Sequence, residues 1–397
     1  MKGPTPRRLW KYVTAGLRLK AYFQSPGDGR PRPQIPAQAL LWSLLIGQLL
    51  RRYAFHAIEA LVRSVARRAL GVSASFGDDA LGYFTERLAA APTRRALAAT
   101  LRRAKRNKAF DDSPFIGLAV DGTTAGRSKR AACSLCRPWR DARGQILGYH
   151  HHLALISVVG TGWSLPFDVE PYGPDDSEYA ASQRLLRRAV GHLGVRFADY
   201  VVADGEYATA PFLHRVGDLG LHVVARLKAN LPELYRAAQR RFASQPPAIS
   251  FDDGPDRVEV WDADDFDPWE TLRWETVRVF FYRQHKPNGE VLEAFWLTDF
   301  PSRRVSPRSL YRMAKSRWEI ENQGFNEAKN RHGLEHICRH HPNSLLIARL
   351  LTMLALTLER LYRLRYLHRG THRVRTAQQF VLLLWLSLSH PLALDTS

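Results

Sequence analysis

Two short apolar runs in this chain each stop at the dipeptide Asp-Gly: residues 115–120 before Asp121, and Tyr200-Val-Val-Ala203 before Asp204. Runs of that length, closed by a turn former, read as β-strands. A glycine directly after the carboxylate lets the backbone turn away at the carboxyl edge of a sheet. If the two strands are neighbours, Asp121 and Asp204 meet at one edge. Close negative charges repel unless a cation lies between them. Mg²⁺, a hard cation that prefers oxygen ligands and also binds phosphate oxygens, suits such a pair.

The elements around these runs fix a fold class. Residues 36–110 carry apolar side chains at helical spacing (Leu40, Leu41, Leu44, Leu45, Leu49), and near residue 113 the period becomes strand-like. Strands are expected at 115–120, 145–160, 163–170, 200–203 and 221–227, with helices at 176–193 and 210–219. That order, βββ-α-β-α-β, is the order of a ribonuclease-H-like mixed sheet. The expected division is a basic flexible lead-in (1–35), a helical DNA-binding region (36–112), a ribonuclease-H-like core (113–228 and 301–342), a β-rich insertion (229–300) and a C-terminal helical region (343–397).

Charge points to the partner. The 397 residues hold 58 Lys+Arg against 38 Asp+Glu, a formal charge of +20, which on a globular composition favours a polyanion such as nucleic acid. Residues 93–110 contain seven basic side chains and no acid, and that stretch is expected to meet phosphates. No apolar run is long enough to span a membrane. The N-terminus lacks the apolar stretch of a signal peptide, and three cysteines make no disulfide framework, so a cytoplasmic, nucleoid-associated location in a prokaryote is expected.

A third acid stands out at Glu321, in Ser316-Arg-Trp-Glu-Ile-Glu-Asn-Gln-Gly-Phe-Asn-Glu-Ala-Lys329. On a helix Arg317 and Phe325 share its face, while Glu319 is rotated away. Asp121, Asp204 and Glu321 in Arg-Trp-x-Ile-Glu together resemble the DDE transposases of bacterial insertion sequences, in the group with a tyrosine–arginine–glutamate–lysine signature. Asn322-Gln-Gly-Phe-Asn326, Lys329 and Gly333-Leu-Glu-His336 resemble that group as well. The resemblance covers about residues 75–360.

The resemblance implies a cut-and-paste DNA transposase in which Asp121, Asp204 and Glu321 bind two Mg²⁺ ions, with Mn²⁺ able to substitute. It implies that Arg317 and Lys329 contact DNA phosphates. Its partners would be double-stranded DNA, as inverted terminal repeats and as target, held by a homodimer whose interface is expected in the helices after Asn343. The chain departs from the signature in two places: Ala314 stands where the tyrosine would, with Tyr311 one turn earlier, and Lys329 comes one residue late. Another ribonuclease-H-like nuclease, or a catalytically silent DNA-binding descendant, are the competing readings.

A second constellation has metal-ligand spacing. Cys133-Ser-Leu-Cys136 offers two thiols, and the remaining cysteine, Cys338, is flanked by His336, His340 and His341. Four such groups can close a tetrahedral Zn²⁺ site. The halves lie about 200 residues apart, so the sequence favours unligated thiols over structural Zn²⁺. His150 and His152 share one face of a strand, and strand packing is expected for them.

Overall fold

The computed structural model describes residues 3–367 and 376–389. The chain opens with helices α1 (Pro6–Lys11) and α2 (Lys20–Gln24), joined by a π-helical turn at Tyr12–Gly16. This corrects the expected flexible lead-in. Leu9, Val13, Leu17, Leu19 and Phe23 are buried, and Trp10 meets Phe23 and Trp42 edge-on. The basic composition of the segment masked an apolar stripe that docks on the next helices.

Those are α3 (Ala37–Leu49), α4 (Phe55–Arg63), α5 (Ala66–Leu70), α6 (Asp78–Arg87) and α7 (Ala90–Arg106). From Leu40 to Leu49 every residue of α3 is buried, the behaviour of a helix that is apolar all round. The basic helix α7 is only partly a free cationic surface. Arg94 pairs with Asp168 and Glu170, and Lys105 donates to the carbonyls of Arg196 and Phe197. Arg95, Arg102 and Arg106 remain exposed.

The core sheet follows: β1 (Gly117–Ser128), β2 (Arg137–Arg140), β3 (Ile146–Val159) and β4 (Leu165–Tyr172), then α8 (Glu178–Leu193), β5 (Tyr200–Ala203), α9 (Ala210–Asp218) and β6 (His222–Leu227). Strands β1, β5 and β6 run parallel, and β3 pairs antiparallel with β1 on one edge and with β4 and β2 on the other. The order β4-β3-β1-β5-β6 is ribonuclease-H-like, as the sequence order implied. Strand β1 runs on past Asp121 to Ser128, because β3 keeps pairing with it. Strand β2 was not foreseen; its side chains are mostly exposed, so it carries no apolar period.

Helix α10 (Pro232–Ala243) leads to β7 (Ile249–Asp253), β8 (Asp256–Phe266), β9 (Val277–His285) and β10 (Val291–Thr298). These strands form no separate body. Strand β10 pairs with β6, placing Phe295 opposite Leu227, and β9, β8 and β7 continue outward to make one ten-stranded sheet. Helix α11 (Pro307–Glu319), started by Ser306 capping the Ser309 N–H, lies across β1, β3, β5, β6, β8 and β9. A π-helical turn, Ile320–Phe325, joins it to α12 (Asn326–His332).

Helix α13 (Pro342–Tyr362) leaves little of its own surface for the expected dimer interface. Nearly all of it is buried within this one chain, against β4, α3, α6 and α7. Helix α14 (Ala377–Ser389) packs on α1 and α5. The rest of the expected C-terminal region, residues 368–375 and 390–397, lies outside the described residues. No described helix is long and apolar enough to cross a membrane.

Helix α13 carries charge into the core. Glu359 and His332 are each 1% exposed, and Arg51 donates to both, at 2.6 Å to Glu359 Oε2. Burial pushes the Glu359 carboxyl up, yet His332 and Arg51 outweigh it and hold it down at about 2. Burial and the neighbouring Arg51 push the His332 imidazole down to about 4, only partly opposed by Glu359. The unfolded chain protonates that imidazole near its ordinary value of 6.5, the folded one only near 4. The unfolded state therefore binds more protons in this window, and stability is lost as pH falls from 6.5 to 4, by about 3 kcal/mol for this group. Urea midpoints measured at neutral pH and near the lower limit should differ accordingly; equal midpoints would contradict the network.

Candidate active site

Strand register decides where the two aspartates go. Ala119 of β1 is level with Val202 of β5, so continuing the parallel register two rows brings Asp121 level with Asp204. Pairing between β1 and β5 ends before that row, leaving both side chains at the carboxyl edge. The Gly122 N–H donates to Asp121 Oδ1 at 2.9 Å, and Lys228, just past β6, donates to Asp204 Oδ2 at 2.9 Å.

Glu321 arrives from the other side, on the wide π turn between α11 and α12. Such turns recur at functional sites. Its freed backbone is held from below: the wholly buried Arg360 of α13 donates to the Gln323 carbonyl and to Glu327 Oε2. Gly324 brings the turn close to Ser164, where an added Cβ would come within 3.2 Å of the hydroxyl.

One guanidinium sits among the three acids. Arg317 donates to Glu321 Oε1 at 2.6 Å, and its other terminal nitrogen lies 3.8 Å from Asp121 Oδ2 and 3.9 Å from Asp204 Oδ2. At 13% side-chain exposure it faces the carboxylates. Lys329 is not with it; its ammonium lies 3.5 Å from Glu335 Oε1. The structure thus places neither expected phosphate-contacting residue in an open position beside the acids. Tyr311 donates to Asp253 at 2.8 Å, and Ala314 is fully buried. Glu319 turns away, as helix geometry requires, and accepts the Gly160 N–H.

The acids are not equivalent. Burial pushes the Asp121 carboxyl up to about 6; Arg317 and the Gly122 N–H oppose this, and Glu178 and Glu321 add to it. Burial also pushes Asp204 up, but Lys228, the Gly205 N–H and Arg317 outweigh it and keep its carboxyl below the ordinary range.

Glu178 was missed by sequence reasoning. It opens α8, its carboxylate accepts the Tyr207 hydroxyl at 2.8 Å, and an added Cβ on Gly122 would fall 1.8 Å from its Oε2. An acid in the first turn of a helix is ordinary, so no local signal singled it out. Lys228 was missed for a similar reason: a lysine after a strand says nothing about its partner.

Three carboxylates around one positive group form a donor set that suits a hard divalent cation, with the guanidinium standing in for that charge. The set is loose. Among the described residues the one group of Cys, His, Asp or Glu ligand atoms all within 4.8 Å of one another is elsewhere: Cys133, Cys136, His151 and His340.

Among solved structures the chain is similar to the piggyBac transposase in its synaptic complex with hairpin DNA, solved by cryo-EM. That match has 11% identity, covers 98% of this chain and 83% of that one, and has a TM-score of 0.46. It is also similar to the NurA nuclease from Sulfolobus solfataricus, with 11% identity, 68% and 91% coverage, and a TM-score of 0.27. No curated protein sequence matches. The model of the transposase DDE domain matches residues 112–358, a span that includes Asp121, Asp204, Glu321 and the strands β7–β10 between the last two. With more than half of its length matched, this chain belongs to the transposase DDE domain family.

Proposed function

We propose that the protein is a cut-and-paste DNA transposase, cleaving phosphodiester bonds at element ends and joining the freed 3′ ends to target DNA. The observation that carries this is the convergence of Asp121, Asp204 and Glu321 on the single guanidinium of Arg317. In the proposal these carboxylates hold divalent cations, Mg²⁺ or Mn²⁺. Bound there, such ions would activate an attacking oxygen and stabilise the leaving one.

The protein groups then have distinct tasks. Lys228 keeps Asp204 ionised. Glu178, close to Asp121, adds negative charge that favours a cation. Arg317 neutralises the acids until an ion replaces it, after which its charge is free for a DNA phosphate. Exposed Arg95, Arg102 and Arg106 on α7 offer further phosphate contacts outside the sheet.

The same guanidinium favours a second reading, a catalytically silent DNA-binding relative in which the acids are permanently paired. One assay separates the two: the purified protein is incubated with duplex DNA carrying its own element ends, with and without Mg²⁺. Mg²⁺-dependent nicking at the element boundary supports the transposase, and binding without nicking in either Mg²⁺ or Mn²⁺ supports the silent relative.

A further inference from the structure

The fold brings together four ligand groups that lie far apart in the chain. Cys133 and Cys136 sit in a tight turn between β1 and β2, closed by the Cys136 N–H donating to the Cys133 carbonyl at 3.1 Å. Gly173 leaves room for that turn: a Cβ there would come within 2.9 Å of the Ser134 carbonyl. His151 reaches it from β3. Strand alternation puts His150 and His152 on the opposite face, their rings 4.4 Å apart. His340 arrives from the segment between α12 and α13, its ring centroid 5.6 Å from that of His151.

We propose that Cys133, Cys136, His151 and His340 form a structural Zn²⁺ site. Zn²⁺ binds sulfur at about 2.3 Å and imidazole nitrogen at about 2.0–2.1 Å in a tetrahedron, so neighbouring ligand atoms lie about 3.3–3.8 Å apart. The two sulfurs are 3.6 Å apart, and His151 Nε2 is 3.2 and 3.4 Å from them. All four ligand atoms lie within 4.8 Å of one another. A disulfide would need the sulfurs about 2 Å apart. Two thiolates and two neutral imidazoles around Zn²⁺ sum to zero charge, which suits a partly buried position.

A metal-free cluster accounts less well for the same groups. The Nδ1 atom of His340 is buried and, among the described residues, has no hydrogen-bond partner, so this ring is not an ordinary histidine satisfied within the core. Cys338, the third cysteine and the sequence-based candidate, is not part of the set; its thiol points to the Tyr53 carbonyl at 3.4 Å.

The site would pin three parts of the fold together: the β1–β2 turn, the strand β3 next to the one carrying Asp121, and the start of α13. The segment holding His340 already leans on β1. Arg349 donates to the carbonyls of His336 and Ala125, and Gly126, at φ +115°, lets the Glu335 carbonyl approach. The ion completes that join and fixes the arm that carries Glu321 relative to the sheet. This site is independent of the proposed catalytic chemistry, and its test does not use DNA.

The test is metal analysis of the full-length protein, purified without chelators, together with Co²⁺ substitution. Expected are about one zinc per chain and, with Co²⁺ in place of zinc, the intense ligand-field bands of a tetrahedral site plus a thiolate charge-transfer band. Cys133→Ser and His340→Ala should lose at least about tenfold in metal affinity, while Cys338→Ser keeps both stoichiometry and spectrum. The Co²⁺ spectrum of the unsubstituted protein decides the matter even if the variants fold poorly. No bound zinc together with no tetrahedral Co²⁺ spectrum overturns the proposal, as does loss of the spectrum on Cys338→Ser alone.

Discussion

Asp204→Asn is expected to lower Mg²⁺-dependent cleavage of element-end DNA by about 10³-fold or more, since a metal-assisted step loses several kcal/mol when an anionic ligand goes. Asp121→Asn and Glu321→Gln should act similarly, and pairs of these changes should add little, because the three act as one unit. DNA binding should persist in a gel-shift assay. Asp204 is the informative choice because the structure keeps it ionised: Lys228 donates to it at 2.9 Å and Arg317 lies 3.9 Å away. Glu319→Gln is the control. Glu319 accepts the Gly160 N–H away from the other acids, and a glutamine retains that acceptor. Undiminished cleavage by Asp204→Asn in Mg²⁺ would remove the proposed chemistry.

The second large effect is on stability. A chain ending at Asn343 is expected not to fold. Helix α13 buries Leu345, Leu350, Leu351, Leu354, Leu356 and Leu358, each contributing about 1.5–3 kcal/mol, so their loss rivals the whole stability of about 5–15 kcal/mol typical of a domain. The deletion also removes Glu359 from Arg51 and His332, and Arg360 from Glu327, leaving buried charge without its partner. Circular dichroism with a thermal ramp checks this: the truncated chain should show no cooperative transition. A soluble truncated protein that melts cooperatively would mean that α13 is an appendage and would restore it as an interface candidate.

Much of the site was legible because it follows from local rules. The apolar run before Asp204-Gly205 does end its strand at Ala203, while β1 runs on past Asp121-Gly122; pairing between them stops before that row, and the parallel register still brings Asp121 level with Asp204. Helical spacing put Arg317 and Glu321 on one face, and the structure joins them at 2.6 Å. The N-terminal segment was misjudged because arginines and prolines dominate its composition, whereas burial follows the spacing of Leu9, Val13 and Leu17. The insertion was seen as strands, but whether a strand joins an existing sheet depends on a free edge, here that of β6, and a sequence does not display edges.

The sequence by itself determined the element order, the basic charge and the three acids, since each is written in neighbouring residues through period, turn chemistry and spacing. Only the tertiary structure decided what those groups meet. It set Arg317 among the acids, brought Glu178 and Lys228 to Asp121 and Asp204, buried α13 in the core, and joined Cys133 and Cys136 to His151 and His340 rather than to Cys338. These contacts close loops of tens to hundreds of residues, and their partners are selected by the packing of the whole sheet and its helices.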